Sequence, residues 1–244
     1  MILSVSRRTD IPRWYSEWFL RRLRAGEVLV RNPYRPGQLR RVPLSPAVVD
    51  AIVFWTKDPA PLLPRLDELD GMGYRYLFQF TLTPYGPEIE PGLRDKRAIV
   101  ETFQALGRRL GRGRVLWRYD PILFTDAIGL AWHEARFRKL CKALSPFTDQ
   151  VTVSFLDPYP GRPMGGLRPP KCPGKCRGWR PCWGKLQRNI TYAASRKNYY
   201  GCNQISHRRM DSKCKNDAQD THDRNGKNHL DTHDKGSLDR VNVI

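Results

Sequence analysis

The sequence has no run of apolar residues long enough to cross a bilayer, which takes about 20 residues in a helix. It also lacks the apolar stretch of a secretory signal peptide near its start, because Arg7 and Arg8 interrupt the first apolar run almost at once. From these two absences we expect a protein that neither spans a membrane nor is secreted. We therefore expect a cytoplasmic protein with no membrane partner.

Cysteine is rare in residues 1–158, which contain Cys141 alone, and acidic residues are missing from 159–210. Residues 159–244 hold 18 Lys/Arg and 7 Asp/Glu, so they carry +11 of the net charge of +19. Such a composition buries too little apolar surface to offset the entropy of ordering. The sequence thus predicts a domain over 1–158 and a basic tail over 159–244 without regular structure. Its charge suggests non-specific nucleic acid as a partner.

Five apolar runs, typical of buried strands, each end in polar residues followed by a proline. The runs are Ile2–Val5, Ile52–Trp55, Tyr76–Phe80, Val115–Trp117 and Val151–Leu156. Proline cannot donate to a sheet ladder, so each strand should end before it, as at Pro121. Between the runs, apolar residues recur at the spacing of a helix. This spacing predicts helices over Pro12–Gly26, Pro59–Gly71, Lys96–Leu110 and Leu130–Leu144. Val28–Val30 has the character of a short strand, and Gly37–Pro46 that of turn and loop.

The alternation of strands and helices predicts an α/β fold with a parallel sheet. Right-handed crossovers leave two arrangements open, a doubly wound sheet and part of a barrel. Five or six strands before residue 158 are too few for a closed eightfold barrel. The expected architecture is a partial (open) β/α barrel, followed by the basic tail.

The polar residues after the strands predict a binding pocket, because the carboxyl ends of parallel strands share one rim. The candidate ligand-binding residues are Arg7, Arg8, Asp10, Lys57, Gln79, Arg118 and Asp120. Arginine suits this role because it can hold a carboxylate or phosphate with two hydrogen bonds. Other roles stay open, since Asp10 is also placed to cap a helix and Lys57 can lie in a loop without binding anything.

Arg118 and Asp120 lie two residues apart on a strand, so their side chains point to the same face. They form either a structural ion pair or a pair of ligand-binding groups. Gln79 lies inside an apolar run and needs a hydrogen-bond partner. Trp55 is interpreted as a core residue rather than a stacking platform, and His133 as a satisfied or surface residue rather than a base.

Three cysteines of the tail have a spacing that can hold zinc or an iron–sulfur cluster. They are Cys172, Cys176 and Cys182. The usual zinc pairs, with two residues between the cysteines, are missing. The spacing by itself therefore leaves both a metal site and plain tail cysteines open.

Several long strings of the sequence resemble one family. They are SRRTDIP (6–12), LVRNPY (29–34), IVFWTKDP (52–59), LDELDGMGYRYLFQFTLTPYG (66–86), RVLWRYDPILFTD (114–126) and SFLDPY (154–159). On these strings, residues 1–158 closely resemble an uncharacterised microbial family, number 1848 among the domains of unknown function. That family is similar to radical S-adenosylmethionine enzymes, which use a partial or full β/α barrel.

The resemblance implies a [4Fe–4S] cluster and S-adenosylmethionine as cofactors, and an unknown small-molecule or macromolecular substrate. In such enzymes three cysteines hold three irons, and the fourth iron binds the amino and carboxylate groups of the cofactor. An electron then cleaves the cofactor to a 5′-deoxyadenosyl radical. Family members carry the cluster cysteines near the C-terminus.

After Tyr159 the chain departs from the family pattern. Cys172 and Cys176 keep a spacing of three residues, but Cys182 lies too far along to complete the expected string. This departure indicates a frameshifted or replaced tail that lacks the cluster ligands. Three functions stay open: a radical-SAM-like protein of unknown substrate, a basic nucleic-acid-binding protein, and an inactive truncated fold without cofactors.

Overall fold

In the computed structural model, residues 1–5, 9–32, 34–35, 37–156, 204–207 and 241–243 are described. Their strands are β1 (Ile2–Val5), β2 (Glu27–Arg31), β3 (Leu39–Pro43), β4 (Ala51–Thr56), β5 (Tyr76–Thr81), β6 (Val115–Ile122), β7 (Gln150–Phe155), β8 (Gln204–His207) and β9 (Val241–Val243). Their α-helices are α1 (Ile11–Trp14), α2 (Ser16–Arg24), α3 (Leu66–Gly71), α4 (Lys96–Leu110) and α5 (Leu130–Leu144).

Seven of these strands form one parallel sheet in the order β8-β7-β6-β5-β4-β1-β9. The five strands that precede residue 157 occupy the middle and follow one another in chain order without a reversal. Because all of them run the same way, their carboxyl ends meet at one edge of the sheet. The predicted α/β fold with a parallel sheet is confirmed, whereas the partial barrel stays a prediction.

The region predicted to be a tail without regular structure contributes β8 and β9, one at each edge of the sheet. Strand β8 pairs with β7, and β9 pairs with β1. The remaining residues of 159–244 lie outside the described residues, so their predicted lack of structure stays a prediction. The boundary at residue 158 likewise stays a prediction.

One face of the sheet carries the apolar core. Phe54 and Phe78 stack with their ring centroids 4.9 Å apart. Trp117 stacks 5.0 Å from Phe137 of α5, and both side chains are buried. Burying one such side chain contributes about 1.5–3 kcal/mol. The helices therefore cover this face of the sheet.

The residues between these core positions point to the opposite face, because side chains alternate along a strand. Many of them are polar, and most are half-buried. Seven members of this set form what we call the polar face, Ser4, Trp55, Gln79, Thr81, Arg118, Asp120 and Ser154, and the apolar Val53, Leu77 and Leu116 lie on the same side of the sheet.

Two helices differ from the sequence prediction. The helix expected over Pro12–Gly26 is divided into α1 and α2 at Tyr15, whose φ of −133° is not helical. The helix expected over Pro59–Gly71 is confined to α3 after a 3₁₀ turn at Leu63–Arg65. Prolines in this stretch have no N–H to donate, so a regular helix begins only after them. The predicted Lys96–Leu110 and Leu130–Leu144 match α4 and α5.

Two strands also differ. The interpretation of Gly37–Pro46 as loop was wrong, because β3 pairs antiparallel with β2 there. Only Val42 of β3 is buried, so the strand shows no alternating apolar pattern. The expected end of the sixth strand before Pro121 was also wrong, since β6 continues to Ile122. The pairing of β6 with β7 is irregular between Tyr119 and Ile122. Pro121, which has no N–H to donate, lies within this interruption and so does not end the strand.

Within the part of the chain that the structure describes, no helix combines the length and the apolar character needed to cross a membrane.

Candidate functional site

The centre of the polar face is the Arg118 guanidinium. Its Nη2 donates a hydrogen bond to Asp120 Oδ2, as expected for residues two apart on one strand. The two side chains are 9% and 22% exposed, so this ion pair is largely removed from water. Ser154 of β7 donates a second hydrogen bond, to Asp120 Oδ1. The carboxylate is thereby held by partners on both of its oxygens.

Trp55 lies beside this pair on the same face. The guanidinium carbon of Arg118 is 4.9 Å from the ring centroid of Trp55, within the range of a cation–π contact. The indole Nε1 donates to Ser4 Oγ at 3.1 Å, which fixes the ring in its plane. The prediction that Trp55 is a core residue was therefore wrong, because its strand position directs it away from the helices.

Gln79 has a buried side-chain oxygen, Oε1, with no hydrogen-bond partner among the described residues. It lies in register between Trp55 of β4 and Leu116 of β6. A buried polar group without a partner costs about 1–3 kcal/mol, so such an atom needs an explanation. A ligand that donates a hydrogen bond to this oxygen is one explanation that also suits its neighbours.

Asp10 lies at the same edge of the sheet but is occupied by the protein itself. Its carboxylate accepts from the backbone N–H of Arg13 at 3.1 Å, and so caps α1. It also accepts from Thr56 Oγ1 at 3.0 Å and from the backbone N–H of Lys57 at 2.7 Å. Burial raises the pKa of Asp10, and these hydrogen bonds oppose the shift. Asp10 therefore fastens α1 to the end of β4, and its role in ligand binding stays a prediction.

Lys57 turns toward an acidic residue that the sequence reasoning missed. Its Nζ and that of Lys96 both bind the carboxylate of Glu90, which also accepts from Thr83 Oγ1 at 2.8 Å. Burial raises the pKa of Glu90, but the hydrogen bonds from the two lysines outweigh burial and hold the pKa below its ordinary value. Glu90 lies in a connecting segment that lacks the apolar periodicity of a helix or strand, so nothing in the sequence indicated its contact with Lys57.

The structure thus brings Gln79, Arg118 and Asp120 onto one face, together with Trp55 and Ser154. It places Asp10 and Lys57 at the same edge, where the backbone N–H of Lys57 donates to Asp10 and its Nζ binds Glu90. The ligand-binding role of all five predicted residues stays a prediction. Ser154 had a weak signal, because Thr152 and Ser154 alternate with apolar residues in their strand.

The remaining predicted site residues lie outside the described residues. They are Arg7, Arg8, Cys172, Cys176 and Cys182. Where side chains are described, no group of three or more His, Cys, Asp or Glu residues could hold a metal ion. Cys141 is buried in the core on α5 and is 3% exposed.

A family model matches residues 2–163 of the chain, and the description of that family is "Domain of unknown function (DUF1848)". Two further comparisons, with the curated proteins and with the solved structures, returned no match.

Proposed function

We propose that this chain, which belongs to the DUF1848 family of unknown function, binds on its polar face a small molecule carrying an amino group and a carboxylate. The observation that carries the proposal is the buried Gln79 Oε1 without a partner among the described residues. It lies on the same face as a charged pair that offers one cation and one anion.

The chemistry of the three polar groups suits such a ligand. Gln79 Oε1 accepts hydrogen bonds and would hold an ammonium group, and the Asp120 carboxylate would keep Arg118 in place. Arg118 would hold a carboxylate, for which a guanidinium is well shaped. Trp55 offers a ring surface to a cationic or apolar part of the ligand. These residues orient the ligand and exclude water from its charged end.

The specific ligand that we propose is S-adenosylmethionine, which carries an amino group, a carboxylate and a sulfonium cation. The resemblance to radical S-adenosylmethionine enzymes supports this choice. Those enzymes use a partial or full β/α barrel, and the strand order without a reversal supports a partial barrel here. Asp10, Lys57, Arg7 and Arg8 would then line the same edge.

The [4Fe–4S] cluster that the resemblance implies would supply the electron for cleavage of that ligand. The described residues do not fit such a cluster, because their cysteine, Cys141, is buried in the core. The thiolates that would hold it, Cys172, Cys176 and Cys182, lie outside the described residues. The proposal for the described residues is accordingly limited to ligand binding.

Calorimetric titration of the full chain tests the proposal with S-adenosylmethionine, S-adenosylhomocysteine, L-methionine and adenosine. Compounds with the amino-acid group should bind, and adenosine, which lacks it, should not. Equal binding of adenosine, or no binding by any of the four, contradicts the proposal. Anaerobic reconstitution with iron and sulfide tests the cluster separately, since a colourless product would show that this chain does not bind one.

A second candidate function is non-specific nucleic-acid binding by the basic tail. The absence of Asp and Glu from 159–210 favours it, because a long stretch of one charge attracts phosphate. Its signature is an affinity that falls steeply with salt and does not depend on the polar face. An inactive fold would show neither binding activity.

A further inference from the structure

The described residues contain a second surface that the polar face does not use. A groove of about 320 Å³ separates the first two helices from β2, and its lining is mainly apolar. The lining residues on which the argument depends are Ile11, Tyr15, Trp18, Val28, Leu29 and Val30. Thr9 and Arg31 complete it. We call this surface the α1–β2 groove.

Exposed apolar side chains are concentrated around this groove. Of the eight large apolar residues exposed among the described residues, six lie between residues 14 and 39. Within the groove, Tyr15 is 50% exposed and Trp18 is 41% exposed. Exposed aromatic rings at this density mark a binding surface rather than ordinary surface composition.

The segment of the chain that forms the groove is strongly positive. Residues 13–41 contain eight arginines, two glutamates and no lysine or aspartate, a net charge of +6. Three of these arginines form ion pairs within the protein, Arg21 with Glu17, Arg24 with Glu68 and Arg41 with Glu27. Arg35 and Arg40 of the β2–β3 hairpin are exposed. The surface therefore combines aromatic rings with an excess of guanidinium groups.

We infer that the α1–β2 groove binds single-stranded nucleic acid. Unpaired bases can stack on the rings of Tyr15 and Trp18, because every base presents a π-face. The phosphates of the strand can bind the arginines of the hairpin, whose charge complements them. An acidic peptide would satisfy the arginines but would not need two exposed aromatic rings. The inference rests on residues 9–41 and does not depend on a ligand at the polar face.

Fluorescence anisotropy of a labelled 15-nucleotide oligothymidylate or oligouridylate, with the full chain, tests the inference. Trp18→Leu should weaken binding about 5- to 160-fold, the range for loss of one base–aromatic stack. Trp18→Phe keeps a ring and should bind nearly as the parent does. A duplex of the same length should bind more weakly than the single strand, because its bases are already stacked.

Charge is tested with Arg35→Glu/Arg40→Glu and the matched control Arg138→Glu/Lys139→Glu, which makes the same change in net charge on the exposed side of α5. The hairpin variant should lower the slope of log affinity against log salt by about 0.7 for each phosphate that the hairpin no longer binds, and the control should leave the slope unchanged. Circular dichroism melts show whether each variant is folded.

Three results would overturn the inference. They are equal loss of affinity in both charge variants, unchanged binding by folded Trp18→Leu, and equal affinity for single strand and duplex. In each case the binding would belong to the charge of the whole chain. Self-association that Trp18→Leu abolishes, without loss of oligonucleotide binding, would instead make the groove an interface between two copies.

Discussion

The Tyr119 hydroxyl lies 2.9 Å from Nδ1 of His133, and Nε2 of the same imidazole lies 2.8 Å from the carbonyl oxygen of Leu123. A carbonyl only accepts, so Nε2 must carry a hydrogen, and Nδ1 of the neutral ring accepts from Tyr119. Both partners are thereby satisfied while His133 is uncharged and buried. The expectation that His133 is a satisfied residue agrees with this geometry.

The first prediction is a loss of stability as the pH falls below about 6.5, the ordinary pKa of histidine. Burial lowers the pKa of His133 in the folded protein, so the unfolded chain binds the proton more tightly. The stabilisation is thus present above the unfolded pKa and is lost as the pH falls through the folded one. Each unit of depression amounts to about 1.4 kcal/mol.

Thermal melts of the parent and of His133→Gln between pH 5 and 8 measure this effect. Glutamine keeps a donor for Leu123 but does not titrate, so its melting temperature should depend less on pH. The raised pKa of Asp10 acts with the opposite sign but is common to both proteins, and it cancels in the difference. Parallel pH profiles for the two proteins would contradict the prediction.

The second prediction concerns the buried pair of Arg118 and Asp120. Arg118→Met leaves the Asp120 carboxylate without its counterion and should destabilise the protein by about 3–5 kcal/mol. The double variant Arg118→Met/Asp120→Leu removes both charges and should be markedly more stable than the single one. Urea unfolding of the parent and both variants gives the comparison.

The exposed pair of Arg21 and Glu17 is the matched control, because its side chains are 67% and 45% exposed. Arg21→Met should change the free energy of unfolding little, as is usual for exposed ion pairs. If Arg118→Met costs no more free energy of unfolding than this control, the pair is solvated and forms no buried site on the polar face.

The third prediction separates stability from binding at Gln79. Gln79→Leu removes a buried oxygen that has no described partner, so the free energy of unfolding should rise by about 1 kcal/mol or stay constant. Affinity for L-methionine and S-adenosylmethionine should fall in the same variant. Gln104 is the control, since its Nε2 donates to the Ala143 carbonyl at 3.1 Å and Gln104→Leu should destabilise. A variant of Gln79 that binds as the parent does would remove the main support for the ligand site.

The fourth prediction concerns Glu90, which separates two lysines. Glu90→Gln leaves Lys57 and Lys96 facing each other without an anion, and should cost about 1–3 kcal/mol at neutral pH. The cost should shrink at acidic pH, because the parent loses this stabilisation as the pH falls below the ordinary glutamate pKa and through the lower folded one. Exposed Glu101→Gln should show neither effect. Equal melting of the two variants at neutral pH would exclude the network.

The parallel strands could be predicted because each apolar run is closed by polar residues and a proline. The helices α4 and α5 could be predicted because apolar residues recur at helical spacing over 15 residues without a proline. Strand β3 could not, since it buries Val42 alone and offers no alternation. An alternation of apolar and polar residues arises where one face of a strand is buried, and an exposed hairpin buries few residues.

The candidate site was predictable in part for a similar reason. Arg118 and Asp120 share a face by spacing alone, so their contact follows from strand geometry. The placement of Trp55 beneath Arg118 depends on the register between β4, β5 and β6, which the sequence does not display. Glu90 reaches Lys57 across 33 residues, along a path fixed only by tertiary packing.

The uninterrupted strand order has a consequence for how the chain folds during synthesis. The first sheet pairing, Ile2 with Ala51, closes 49 residues of chain, and β5 then adds directly to β4. A nascent chain that has released residue 81 already possesses three neighbouring strands. Strands β6, β7 and β8 then each join the open side of the strand before, whereas β9 joins β1. The central strands thus leave the ribosome in the order in which they pair. They can therefore form the middle of the sheet before the later residues are synthesised.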